Sequence, residues 1–182
     1  MKRLVPLSLA ALLALAGTAL ATTAIALSNR ALVNTADVIA IGSVVDSRVV
    51  WLDRVLVTEV TVKVEEVLKG APGDTIVVTL PGGIDANRRI PIAMTYPGAP
   101  SMKQGERTFL FLNRDEDTSR LMVAGFSQGK FAINREPGGE DVVERNLSEI
   151  RLVNGAGIVR GSRERITLVD FKREISGYVA GQ

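Results

Sequence analysis

The sequence contains no cysteine and no histidine. Without cysteine there are no disulfides, so the fold must rest on its hydrophobic core. Without histidine the usual catalytic triads, a histidine general base and zinc sites built on Cys or His are excluded. Only carboxylate chemistry or a hydroxyl–lysine pair remains open to an enzyme. Aromatic residues are scarce, at 4% with one Trp, which disfavours the stacking surfaces that OB barrels use on single-stranded nucleic acid.

Charge is missing from one stretch. After Met1-Lys2-Arg3 no charged residue occurs from Leu4 to Asn29. A basic start, a Leu- and Ala-rich run and the small-x-small site Ala19-Leu20-Ala21 make a secretory signal peptide over residues 1–21, with Ala24-Ile25-Ala26 as an alternative end at 26. The competing reading is an uncleaved leader, which is the one route to the membrane in this sequence. Removing residues 1–21 takes away Lys2 and Arg3 and no acid, leaving 20 basic against 20 acidic residues. A nucleic-acid binder carries a net basic face, so no nucleic acid is expected. The expected location is extracytoplasmic: periplasmic, envelope-associated or secreted.

What is present is β pattern. Val60, Val62 and Val64 alternate with Thr61, Lys63 and Glu65, giving one apolar and one wet face. The alternation breaks at Glu65-Glu66, which predicts a bulge and a bent strand. A long bent strand is what a small closed barrel requires. Val38–Trp51 is predicted as its antiparallel partner, apolar on both faces in its first half. Gly42 within it signals a bend or a close backbone approach. Further strands are expected at Thr75–Leu80, Ile90–Tyr96, Thr108–Leu112, Arg120–Ala124, Gly129–Ile133 and Asp141–Arg145. Leu147–Gly161, with three glycines, reads as an irregular surface excursion. Ser28 is placed to cap a short helical turn. Thr167 and Asp170 resemble a capping box, and Leu168, Phe171, Ile175 and Val179 form the apolar stripe of an amphipathic helix. The expected fold is mainly β: a small closed or partly open OB-like antiparallel barrel over residues 22–161, with a C-terminal amphipathic helix in 162–182 packed on it.

Few residues suggest chemistry. Asp115-Glu116-Asp117 offers oxygen ligands but lacks the calcium-loop spacing, so no metal is expected. Glu65 and Glu66 are adjacent on a strand and point apart, whereas a catalytic pair converges. Ser127 with Lys130, and Ser101 with Lys103, sit in no recognised nucleophile motif. No catalytic residue and no cofactor is expected. Binding is assigned to the loops after the long strand: Gly98 and Pro100 in the rigid loop Pro97–Pro100, Gln128 and Lys130 in Gly125–Phe131, and Trp51 near a hairpin tip as an anchor candidate.

Ala36–Val44, Val60–Gly70, Leu80–Gly83, Gly98–Pro100, Gly105–Leu112 and Gly125–Phe131 together resemble a family of exported bacterial proteins whose barrel is like that of the tissue inhibitors of metalloproteases. The resemblance implies an OB-like barrel in the envelope or medium and a secreted metalloprotease as partner, through inhibition or pro-enzyme control. Tissue inhibitors chelate the protease zinc through an N-terminal Cys. This sequence has none, so no zinc-chelating residue carries over. The functional expectation is a non-catalytic extracytoplasmic binding module with a protein partner. An oligosaccharide- or nucleic-acid-binding OB barrel and a structural envelope protein are the alternatives.

Overall fold

The computed structural model describes residues 23–182; the leader read at residues 1–21 lies outside them. The elements, in chain order, are β1 (Thr23–Ile25), α1 (Asn29–Thr35), β2 (Val38–Leu52), β3 (Val55–Lys69), β4 (Thr75–Pro81), β5 (Gly83–Asp85), β6 (Ile92–Met94), β7 (Arg107–Arg114), β8 (Leu121–Val123), β9 (Lys130–Arg135), β10 (Asp141–Asn146), β11 (Arg151–Asn154), β12 (Gly157–Arg160), β13 (Arg163–Thr167) and α2 (Leu168–Ala180).

β2, β3 and β4 form an antiparallel meander. β7 returns to pair with the first half of β2. β8 closes the ring by lying antiparallel to β7 and parallel to β4. The resulting order β2-β3-β4-β8-β7 is an OB-like barrel. It is only partly closed, since β4 and β8 share just two residue pairs, Val78 with Leu121 and Thr79 with Met122. The predicted bulge is present. Ile41 pairs with Glu66 and Gly42 with Val64, which leaves Glu65 unpaired between them. Glu65 is engaged all the same, accepting hydrogen bonds from Ser43 Oγ at 2.5 Å and Arg107 Nε at 2.6 Å. Burial opposes its ionisation, but those two bonds prevail and hold the carboxyl below its ordinary pKa.

Strand alternation sorts the apolar residues into two cores. Val38, Ala40, Val60, Val62, Val78, Leu110 and Leu112 fill the barrel interior. Their strand neighbours Ile39, Ile41, Phe109 and Phe111 point outward into a second core beneath the helices. This is why the first half of β2 reads as apolar on both faces. β9, β10 and β13 extend the sheet beyond β7 as a wing. Phe131, Ile133 and Val143 on the wing complete the second core with Leu32 and Val33 of α1 and Leu168, Phe171 and Ile175 of α2. Both helix caps are as predicted: Ser28 Oγ accepts from Ala31 N–H, and Thr167 Oγ1 accepts from Asp170 N–H.

Two expectations are corrected. Leu147–Gly161 is not irregular: β11 and β12 form a hairpin, and β1 joins it in parallel. The strand expected over Ile90–Tyr96 shortens to Ile92–Met94, paired with β5 in a separate two-stranded sheet. Within 162–182 the helix begins after the Thr167 cap, and Arg163–Thr167 ahead of it is the strand β13, paired with β10.

Glu59, on the outer face of β3, is a mostly buried carboxylate. It accepts from Arg48 Nε at 2.8 Å and from an Arg120 amino group. The Arg120 bond first, then the Arg48 bond, lowers its pKa. A carboxyl with a depressed folded-state pKa stabilises the fold above its unfolded pKa and loses that contribution as pH falls through the folded value. Thermal melts between about pH 5 and 3 should therefore show a shallower acid decline for Glu59→Gln than for the parent. Parallel declines would show that Glu59 is not the linked group.

Candidate functional site

The wing has two faces. Phe131 and Ile133 of β9 turn into the second core, so Lys130, Ala132 and Asn134 line the opposite face. β10 repeats the pattern, with Val143 inward and Glu144 and Asn146 on the open side. That open face floors a cleft of about 300 Å³. Gly98, Ala99, Pro100 and Ser101 form one wall, and Leu147, Glu149 and Ile150 form the other.

The loop wall is tightly seated. Gly98 has φ of +74°, and a Cβ built on it would lie 2.1 Å from Ile150 Cγ2. Only glycine combines that backbone conformation with that approach. On its other flank the same loop borders a second cavity of about 290 Å³, lined by Leu80, Met94, Tyr96, Pro100 and Met102 among others. Ala99–Ser101 is thus a ridge between two hollows.

The charges in the cleft are largely paired. Lys130 Nζ pairs with Glu106, whose other carboxylate oxygen accepts from Lys103 N–H at 2.9 Å. Glu144 pairs with Arg163 at 2.9 Å. The uncharged polar groups are different. Among the described residues, the side chains of Ser101, Ser127 and Asn134 make no hydrogen bond, and Glu149 has no ion-pair partner. The cleft therefore offers hydroxyl, amide and carboxylate groups beside the apolar Pro100, Leu147 and Ile150. Among the described residues, no aromatic side chain lines it.

Of the five residues assigned to binding in the sequence, the structure brings together three: Gly98, Pro100 and Lys130. Gln128 lies behind the cleft rather than in it. It is 1% exposed. Its Oε1 accepts from Leu27 N–H at 2.8 Å and its Nε2 donates to Ile25 O at 2.8 Å. Its amide thus ties the N-terminal segment to the sheet. Trp51, near the end of β2, is tied to β5, where its Nε1–H donates to Asp85 Oδ2 at 2.8 Å. The Arg88 guanidinium lies 4.8 Å from its ring centre. The Trp51 bond, followed by that of Arg88, lowers the Asp85 pKa. Trp51 does not line the cleft. The Ser127–Lys130 pair shares the cleft, but the lysine ammonium is engaged by Glu106.

Sequence reasoning missed Asn134, Glu144, Asn146, Glu149 and Ile150. A signal was present in β9, where Lys130, Ala132 and Asn134 alternate with Phe131 and Ile133. That pattern marks a strand with one face outside the core. Nothing local marked Ile150 as the opposing wall. A scan against protein-family models finds no match, and no curated protein matches the chain.

Proposed function

We propose that this protein is an exported, non-catalytic binding module that holds a segment of a protein partner in the cleft between the Gly98–Ser101 loop and the open face of β9 and β10. The observation that carries the proposal is the set of unpartnered polar side chains, Ser101, Ser127, Asn134 and Glu149, gathered from three distant parts of the chain into one concavity. Convergent polar groups against an apolar wall are the usual make-up of a recognition site. The absence of aromatic lining favours a peptide segment over a sugar, which would draw on ring stacking. Secreted metalloproteases are the first partners to test, on the strength of the family resemblance, with contacts other than zinc chelation by an N-terminal Cys.

The test is capture from culture medium with the mature protein as bait, followed by mass spectrometry. A parallel capture uses Ala132→Trp, which places an indole on the cleft floor without touching either core. The expected result is one or a few proteins retained by the parent and lost by the variant. Equal retention by both would remove the cleft from the account. Saturable binding on a glycan array, lost in the same variant, would replace the protein partner by an oligosaccharide.

A further inference from the structure

We propose that a hollow on the outer face of the barrel, where β2, β3, β4 and β8 meet, binds a tetrahedral dianion, phosphate or sulfate, through Arg48, Arg114 and Arg120. The hollow shares no lining residue with the cleft over β9 and β10, so the proposal is independent of what that cleft binds.

Strand alternation assembles the site. Val60 and Val78 point into the barrel, so Glu59 and Thr79 beside them point outward. Arg48 stands opposite Glu59, and Glu59 stands opposite Thr79. Arg120 is the residue before Leu121 of β8, which pairs with Val78 of β4. Arg114, at the end of β7, lies opposite the same Leu121. These side chains line a hollow of about 430 Å³.

Its charge is unbalanced. Glu59 is the one acid among the described lining residues, against three guanidinium groups, which leaves two positive charges in excess. Asp46 is two residues from Arg48 on β2 but does not line the hollow. The excess is local, because residues 22–182 carry 20 basic and 20 acidic residues. Neutralising Glu59 does not account for it, since one arginine can engage both oxygens of a carboxylate. Here Arg48 Nε and Nη2 both donate to Oε2, at 2.8 and 2.7 Å, and Arg120 Nη1 donates to Oε1. Arg114 Nη1 donates to Ser119 O at 2.8 Å, and Arg114 has no ion pair among the described residues.

Donors remain. Arg48 Nη1, and Nε and Nη2 of both Arg114 and Arg120, have no acceptor among the described residues. Thr79 is 5% exposed and its hydroxyl, on the wall of the hollow, has no partner there either. Buried polar groups are normally satisfied. Planar guanidinium edges and a hydroxyl are the donors that phosphate and sulfate oxygens take, and a double negative charge matches the excess. Glu59 is the positioning residue that holds two of the three arginines.

The experiment is calorimetric titration of the mature protein with sodium phosphate, sulfate and acetate at low salt, at a pH where phosphate carries two charges. The expected result is saturable binding of phosphate or sulfate with Kd below about 1 mM, the tighter of the two identifying the ion, and acetate at least about tenfold weaker. Arg114→Gln should weaken dianion binding at least about tenfold with its anion-free melting point kept. Arg54→Gln removes the same charge from the exposed β2–β3 turn and should bind as the parent does. No saturable binding of either dianion, acetate binding as tightly as they do, or equal weakening in the two arginine variants would overturn the proposal.

Discussion

Gly42→Ala is expected to lower stability by about 3 kcal/mol, a melting point drop of roughly 6–12 °C. Gly42 lies where β2 bends across β3. A Cβ there would stand 2.4 Å from the Lys63 carbonyl oxygen and 2.7 Å from Val62 Cγ1. The first contact is with backbone in the neighbouring strand, so relief requires the two strands to part. They are the longest pair in the barrel, and Val44, Val62 and Val60 beside the contact are all interior residues. Against a typical total of about 5–15 kcal/mol, the substitution removes a large share. Gly138→Ala is the control, because a Cβ there meets nothing within 4 Å. Its melting point should stay close to that of the parent, and an equal drop in both variants would point to a general glycine effect instead of barrel closure.

Phe171→Ala is the second large effect. Phe171 is the one α2 ring in the phenylalanine cluster, with centroids 4.9 Å from Phe109, 6.3 Å from Phe111 and 4.7 Å from Phe131. It is 1% exposed. Truncation removes the ring and leaves a cavity between helix and sheet, at a cost of about 3–5 kcal/mol. The lost aromatic pairs add to the area term. Two partners come from β7, and the third comes from β9 at the root of the wing. Hydrogen exchange should therefore show α2 and the wing opening together in this variant while the barrel strands β3 and β4 stay protected. Val169→Ala, on the exposed side of the same helix, should change stability by less than about 0.5 kcal/mol. A Phe171→Ala chain as stable as the Val169→Ala chain would mean that the helix is not part of the core.

These two positions also show what could be read from the sequence. Gly42 stands inside an otherwise unbroken β pattern, and a lone glycine in a strand already signals close approach. The stripe Leu168, Phe171, Ile175 and Val179 announces both the helix and its buried side. The bulge at Glu65 was legible because a period-two pattern cannot change parity without an extra residue. What escaped reading was pairing at a distance. β13 has charges at Arg163, Glu164 and Arg165 and so lacks apolar alternation; its place is set by β10. β1 is three residues long, and its parallel partner lies more than a hundred residues downstream. Gly98 reads as a loop residue, yet its tight seating depends on Ile150, which no local pattern connects to it. The candidate cleft belongs to this last class. Its walls come from separate loops, and only the fold brings Ser101, Asn134 and Glu149 to one place.

The central claim is that this cleft is where a protein partner is held. The most direct measurement is a titration of the captured partner against the mature protein and its Ala132→Trp variant, by calorimetry at physiological salt, with melting curves confirming that both are equally folded. The account predicts saturable binding to the parent and an affinity at least about tenfold weaker for the variant, the equivalent of about 1.4 kcal/mol. Equal affinity for the two proteins, at equal stability, would contradict it.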